Sequence, residues 1–104
     1  MIEYKLTIGL NDKESKIQKV ATLEAYKIIT NITKEYFQAF TIYECNGVYT
    51  HQNGAVTIEK SLAVDILVDE QQDKKITKII ELVKIALNQE CIMLHKSVQN
   101  VSFV

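Results

Sequence analysis

Two neighbouring segments of the sequence carry side chains that could perform acid–base chemistry. Tyr49 and His51 lie two positions apart, and so do Glu59 and Ser61 further along the chain. Side chains two residues apart on a β-strand point to the same face of its sheet. A histidine and a carboxylate exchange a proton only within hydrogen-bond reach. The pairing of the two segments therefore decides whether these groups form a site.

Two Asn-Gly pairs offer alternative turns around these segments. The pairs at 46–47 and 53–54 each have the sequence that favours a type I′ hairpin turn. The longer strand-like arms flank the pair at 53–54. We therefore expect a two-residue hairpin loop at 53–54 and a bulge or bend at 46–47.

The predicted register separates the histidine from the carboxylate. Tyr49 pairs with Ile58, which leaves Glu59 on the opposite face of the hairpin from His51. A histidine near the tip of an exposed hairpin is then expected to be solvated. Apolar residues oppose each other in this register, and a shift by one residue would exchange the two faces.

Glu90 and His95 form a second candidate pair. Glu90 starts a predicted strand directly after a helix, and His95 lies near that strand's end. They lack a third metal ligand at a recognisable spacing, so structural or solvated roles are expected for both. The sequence has no nucleophile elbow, phosphate-binding glycine loop or H-E-x-x-H motif. We expect no cofactor and no metal, and the candidate catalytic residues are Tyr49, His51, Glu59 and His95.

The composition is that of a globular protein of one domain. The 104 residues are 47% hydrophobic and 24% charged. Twelve basic and thirteen acidic residues give a formal charge of −1. Arginine, the residue best suited to phosphate and guanine contacts, is absent. Nucleic-acid binding is therefore disfavoured.

The sequence also favours a cytoplasmic location without membrane association. No apolar run approaches the roughly 20 residues of a membrane span. The N-terminal residues include an early acid and no apolar signal-peptide segment. Cys45 and Cys91 stand alone, outside the paired spacing of zinc or redox sites, and are expected to be free thiols in a reducing compartment.

The spacing of apolar residues predicts the elements that carry these groups. Residues 3–10 alternate as a strand does, whereas the apolar stripes in 25–36 and 76–87 have helical spacing. Thr22 is the expected first N-cap, and Asp69 with Gln72 resembles a capping box. We expect strands at 3–10, 41–51, 55–68, 91–94 and 100–104, helices at 22–36 and from 69 to a stop at Asn88, and a separate turn or short helix at 12–21.

This order is that of a ferredoxin-like βαββαβ domain over residues 1–104. Such an α+β fold has an antiparallel sheet with two helices on one face. The other face of the sheet must be exposed to water or covered by another protein surface. Four apolar residues are predicted to lie outside the buried stripes of the helices: Tyr26, Phe37, Leu82 and Ile85. Four others are predicted on the second face of the sheet: Phe40, Ile42, Val48 and Leu67. We therefore expect a homo-oligomer that buries this face.

Scattered residues across roughly 22–104 resemble a known family. They are Gly47-x-Tyr49, Gly54, Glu59-x-Ser61, Gln89-Glu90 and Ser102-Phe103. The chain resembles a family of short bacterial proteins catalogued as a domain of unknown function. In that family the aromatic residue after the first glycine is usually Trp, and many members look secreted or lipid-anchored, whereas this sequence shows no such signal. The resemblance implies a fold consistent with the predicted one and no activity.

Three functions remain open from the sequence. The leading interpretation is a non-enzymatic module that self-associates through its sheet face and binds a ligand or protein partner. The alternative is a small enzyme of the dimeric α+β-barrel type, with a pocket between subunits lined by Tyr49, His51, Glu59 or His95. The third is a structural or host-accessory protein without a small ligand.

Overall fold

Four strands and two helices follow one another in the predicted βαββαβ order. The computed structural model describes all residues, Met1–Val104. Its elements are β1 (Ile2–Gly9), α1 (Thr22–Thr33), β2 (Thr41–Thr50), β3 (Val56–Val68), α2 (Asp73–Leu87) and β4 (Met93–Val98). The strands form one antiparallel sheet in the order β2-β3-β1-β4. The predicted ferredoxin-like α+β fold is confirmed.

The core lies between the helices and one face of the sheet. Tyr4, Leu6 and Ile8 alternate along β1 and are completely buried. Their antiparallel partners on β3 are Ile66, Val64 and Leu62, which are buried as well. The apolar stripe of each helix packs on them, as predicted: Ala25 and Ile29 of α1, and Ile76, Ile79, Val83 and Leu87 of α2.

The first helix ends earlier than predicted, which changes the place of Phe37. α1 stops at Thr33, and the carbonyl of Thr33 accepts the backbone N–H groups of both Tyr36 and Phe37 in a turn. Phe37 therefore leaves the helical path and is only 9% exposed, packed in the core. Tyr26 and Ile85 remain exposed on the helices, as expected.

The start of α2 is fixed by β1 and β4 rather than by a capping box. The predicted box of Asp69 and Gln72 is wrong, because α2 begins at Asp73 and Gln72 makes no side-chain cap bond. Instead the Gln72 backbone N–H donates to the Tyr4 hydroxyl over 3.0 Å, and that hydroxyl donates to Asp73 Oδ1 over 2.5 Å. Lys96 completes the cluster with an ion pair to Asp73 at 3.0 Å.

The hairpin of β2 and β3 has a different register from the predicted one. Tyr49 pairs with Thr57 rather than with Ile58, and β2 runs without a bulge. The loop is longer than two residues: the His51 N–H donates to the Ala55 carbonyl, and the Gly54 N–H donates to the His51 carbonyl. Gly54 alone has a positive φ in this loop, of 85°. A type I′ turn needs two such residues, so the glycine instead occupies the left-handed position that ends a three-residue loop.

The register shift exchanges the two faces of β2, so the predicted apolar second face is wrong. Ile42 and Val48 lie on the helix side, opposite Val64 and Ile58, and Phe40 packs against the core. Of the four residues predicted on the open face, only Leu67 lies there, opposite Glu3. The open face is instead mostly polar, and its residues include Lys5, Thr7, Tyr43, Tyr49, Thr57, Glu59, Ser61, Asp65, His95 and Ser97.

The remaining segments differ in detail from expectation. β4 begins two residues later than predicted, and residues 100–104 form no strand. Residues 12–21 contain the turn that was one of the two predicted alternatives and no short helix, and a bridge between Asn11 and Gln18 closes this loop. Neither helix is long and apolar enough to cross a membrane.

Candidate functional site

The observed register brings the hairpin candidates to one face. Tyr49 and Thr57 are direct partners, and Glu59 lies opposite Gly47. The prediction that Glu59 lies on the opposite face from His51 is therefore wrong. The two side chains do not pair, however: His51 Nε2 lies 2.8 Å from Thr57 Oγ1, whereas Glu59 has other partners.

Glu59 is held across the sheet by Gly9 at the end of β1 and by Asn11 just beyond it. Its Oε2 accepts the Asn11 backbone N–H over 2.8 Å. The carboxylate lies over Gly9, where a Cβ would stand only 2.5 Å from Oε1 and 2.6 Å from Cδ. Any side chain at position 9 would displace this carboxylate, so the glycine gives Glu59 its position.

Tyr49 supplies the second contact to this carboxylate. Its hydroxyl donates to Glu59 Oε1 over 3.4 Å, a long hydrogen bond. The negative charge of Glu59, together with burial, raises the pKa of Tyr49. The phenol therefore keeps its proton and acts as a donor, while half of its surface (54%) stays exposed.

These groups lie in a groove of about 730 Å³ on the open face. Ligand pockets for small molecules span roughly 300–1,000 Å³. Charged side chains of both signs line it: Asp12, Glu59 and Glu90 are acidic, and Lys13 and Lys16 are basic. The remaining lining residues are mostly polar or small, and they are Thr7, Gly9, Asn11, Gly47, Val48, Tyr49, His51, Thr57, Ser61, Gln89, Cys91 and Met93.

One end of the groove is a loop clamped to the end of α2. The buried Asp12 carboxylate accepts the N–H groups of Glu14 and Ser15, both over 3.1 Å, and the Asn88 side-chain amide over 2.8 Å. These bonds lower the Asp12 pKa far below its usual range, and the bond from Asn88 contributes most. Gln89 Nε2 adds a bond to the Asn11 carbonyl over 2.7 Å.

The residue that ends α2 makes this clamp possible. Asn88 has the left-handed conformation (φ 50°, ψ 55°) of a helix C-cap, as its predicted stop requires. That turn brings the Asn88 carbonyl to the Lys13 N–H over 3.1 Å. The helix end and the groove loop are therefore one hydrogen-bonded unit.

The second predicted pair is not brought together in the groove. Glu90 lines the groove, whereas His95 pairs with Lys5 across the β1–β4 ladder and does not line it. No group of three or more His, Cys, Asp or Glu side chains is placed to hold a metal ion. Both cysteines are free thiols, and Cys91 is a lining residue.

Sequence reasoning missed the partners that position Glu59 and the basic end of the groove. Gly9 and Asn11 lie about fifty residues away from Glu59 in the chain, and their contact depends on the β1–β3 register. Lys13 and Lys16 lie in a loop that no periodic pattern describes. The one usable signal was Gly9 itself, a glycine that ends an otherwise branched and aromatic strand.

Two solved structures share the fold at low sequence identity. A phage SAM lyase in complex with S-methyl-5′-thioadenosine is similar with a TM-score of 0.68 and 18% identity, covering 92% of this chain and 79% of that chain. CutA from Pyrococcus horikoshii has a TM-score of 0.54 and 17% identity, covering 98% of this chain and 88% of that chain. Identities this low show similarity of fold. No curated protein sequence matches the chain.

One family of proteins matches almost the whole sequence. The family described as protein of unknown function, DUF3574, matches residues 3–103. The chain therefore belongs to the DUF3574 family, to which no activity is assigned.

Proposed function

We propose that the groove on the open face binds a small organic cation, with Glu59 as its anionic contact. The observation that carries this proposal is the state of the Glu59 carboxylate. Two donors hold it in place, the Asn11 N–H and the Tyr49 hydroxyl, yet no cation pairs with it. The single ion pair of the structure joins Lys96 and Asp73 and does not include Glu59. A fixed carboxylate without a counter-ion favours a positively charged ligand.

The proposed ligand class is an adenosine-bearing sulfonium such as S-adenosylmethionine. The groove volume of about 730 Å³ fits a ligand of that size. The half-exposed ring of Tyr49 offers an aromatic surface on which a base can stack. The similar fold of a phage SAM lyase that binds S-methyl-5′-thioadenosine supports the same class.

Calorimetric titration with S-adenosylmethionine tests this proposal. Glu59→Gln keeps the shape of the side chain and removes its charge, so we expect at least about tenfold weaker binding. S-Adenosylhomocysteine, which lacks the sulfonium charge, should bind the parent protein more weakly by a similar factor. Glu81→Gln on the exposed side of α2 is the matched control and should bind as the parent does.

Two results would contradict the proposal in different ways. If Glu59→Gln bound S-adenosylmethionine as tightly as the parent, Glu59 would not be the ligand's contact. If the parent bound neither sulfonium nor thioether ligand, the proposed ligand class would be wrong.

A second candidate function is an enzyme that acts on the same ligand. The observation in its favour is the Tyr49 hydroxyl, which lies 3.4 Å from Glu59 Oε1 and keeps its proton. A protonated phenol beside a carboxylate provides a general acid and a general base in one groove. In this alternative His95 would act only from a second subunit, because it lies outside the groove of its own chain.

Product analysis separates the enzyme from the binding module. The protein is incubated with S-adenosylmethionine, and the mixture is searched by mass spectrometry for S-methyl-5′-thioadenosine above the level formed with Glu59→Gln. Bound but unchanged ligand supports the non-enzymatic module. A product that forms with the parent and not with Glu59→Gln supports the enzyme.

Self-association is also part of the proposal, but through a surface other than the open face. Val48, Val56 and Ile58 form an apolar hairpin patch on the helix side of β2 and β3, and they are 63%, 58% and 67% exposed. A second copy of the chain is the proposed occupant, since a formal charge of −1 leaves little repulsion between copies.

Native mass spectrometry tests this surface. The Ile58→Lys variant should form a smaller assembly than the parent protein does. Ile85→Lys, at a lone exposed residue of α2, should leave the assembly intact.

A further inference from the structure

The groove contains positive charge as well as the Glu59 carboxylate. Lys13 and Lys16 line the same groove, and neither ammonium forms an ion pair with a carboxylate of the protein. A groove with unpaired charges of both signs is complementary to a ligand that also carries both signs.

The backbone that bears these lysines is fixed rather than free. The Lys13 N–H donates to the Asn88 carbonyl over 3.1 Å, and the Lys16 N–H donates to the Asp12 carbonyl over 2.8 Å. Lys16 has a φ of 63°, a left-handed conformation that is uncommon for a residue with a side chain. The loop therefore presents both stems from defined positions.

The Asp12 carboxylate of the same loop forms no ion pair with either lysine. Asp12 accepts the N–H groups of Glu14 and Ser15 and the amide of Asn88. Its oxygens are used within the clamp. The two ammonium groups are left for an external anion.

We infer that the groove takes a zwitterionic ligand, with the cationic centre at Glu59 and a carboxylate at Lys13 and Lys16. The inference rests on the proposed function and narrows it to a sulfonium with its amino-acid carboxylate intact. A ligand with the same sulfonium and no carboxylate lacks the second contact.

The test compares S-adenosylmethionine with its decarboxylated form by calorimetric titration at one pH and ionic strength. The variant Lys13→Ala/Lys16→Gly removes both ammonium groups, and glycine suits the positive φ at position 16. The charge-matched control is Lys27→Ala/Lys78→Ala, which removes two exposed helix lysines outside the groove. Each exposed ammonium–carboxylate contact is worth up to about fivefold in affinity.

The parent should prefer the carboxylate-bearing ligand by roughly tenfold. The groove variant should lose this preference while still binding the decarboxylated ligand, which also shows that it is folded. The control should keep the preference.

Other outcomes overturn the inference, and they separate it from the proposed function. Equal binding of the two ligands by the parent overturns it and leaves the sulfonium contact of Glu59 standing. Loss of preference in the helix control overturns it as well, because the effect would then be one of overall charge. Binding of neither ligand overturns both proposals.

Discussion

The two faces of the sheet differ in what their residues do. On β1, Tyr4, Leu6 and Ile8 are completely buried under the helices, whereas Lys5 and Thr7 between them are only partly buried. Burial of apolar surface is the main stabilising contribution to folding. The helix-covered face therefore stabilises the fold, and the open face is left to hold charges in fixed positions. Substitutions on the helix-covered face should therefore change stability, and substitutions on the open face should change ligand binding.

The largest expected effect is the loss of stability caused by a cavity on the helix-covered face. Ile79 is completely buried in the core. Ile79→Ala should lower the free energy of unfolding by about 2–5 kcal/mol, since it removes buried methyl groups and leaves a cavity. His95→Ala on the open face should change it by less than about 0.5 kcal/mol. Urea unfolding of the three proteins measures both, and equal losses would remove the distinction between the faces.

The helix-covered face was readable from the sequence because its signal is local. Ile76, Ile79 and Val83 recur at helical spacing, and Tyr4 to Ile8 alternate as a strand does. Each pattern needs only neighbouring residues, so elements and fold class followed from them. Phe37 was misplaced because the end of α1 depends on a turn with no strong sequence signature.

The site on the open face could not be predicted from the sequence, because its geometry depends on one glycine and on strands that are distant in the chain. Gly54 was predicted in a two-residue turn, but it ends a longer loop and shifts the register by one. That single residue moved Glu59 to the face of His51. The contact of Glu59 with Gly9 adds a separation of fifty residues, which no periodicity reports.

A second prediction concerns the clamp that joins α2 to the groove. Asn88→Ala replaces an asparagine, whose short polar side chain tolerates the left-handed region, with a residue that does not, and left-handed backbone costs such a residue roughly 1–2 kcal/mol. It also removes the hydrogen bond to Asp12. Asn88→Gly removes the bond but keeps the backbone unstrained, so it should be the more stable of the two variants. Thermal unfolding of both separates strain from the lost bond, and an alanine variant as stable as the glycine one would contradict the strain.

A third prediction affects binding with little effect on stability. Gly9→Ala places a Cβ where the Glu59 carboxylate lies, so that carboxylate must move away from the Asn11 N–H. Binding of S-adenosylmethionine should weaken by about tenfold, the effect of one charge-assisted hydrogen bond. The unfolding midpoint in urea should change little, because the displaced group is the end of a flexible side chain.

Gly47→Ala is the matched control for this substitution. Gly47 lies opposite Glu59 in the hairpin, but a Cβ there meets nothing closer than 3.7 Å. Because this Cβ leaves the Glu59 carboxylate in place, although Gly47 lines the groove, binding should weaken less than in Gly9→Ala. If both glycine variants weakened binding equally, the position of the carboxylate over Gly9 would not be what the ligand requires.

The smallest expected effect is the titration of Tyr49. The Glu59 charge disfavours the phenolate and raises the Tyr49 pKa above its ordinary value of about 10. In Glu59→Gln the pKa should fall towards that value, whereas Glu44→Gln, on the other face of β2, should leave it unchanged. NMR spectra of tyrosine labelled at Cζ report each phenol separately.

The same pKa shift fixes the sign of a change in stability at alkaline pH. Because the folded-state pKa of Tyr49 is raised, the folded protein holds this proton longer than the unfolded chain does. Stability from this group is present below about pH 10 and is lost as the pH rises through the folded-state pKa. The parent should therefore lose stability above pH ~10 more steeply than Glu59→Gln. Added salt should shrink that difference, because Tyr49 is half exposed and dissolved ions screen the repulsion between the Glu59 charge and the phenolate. A difference unchanged by salt would mean that the hydrogen bond to Glu59, rather than its charge, controls the phenol.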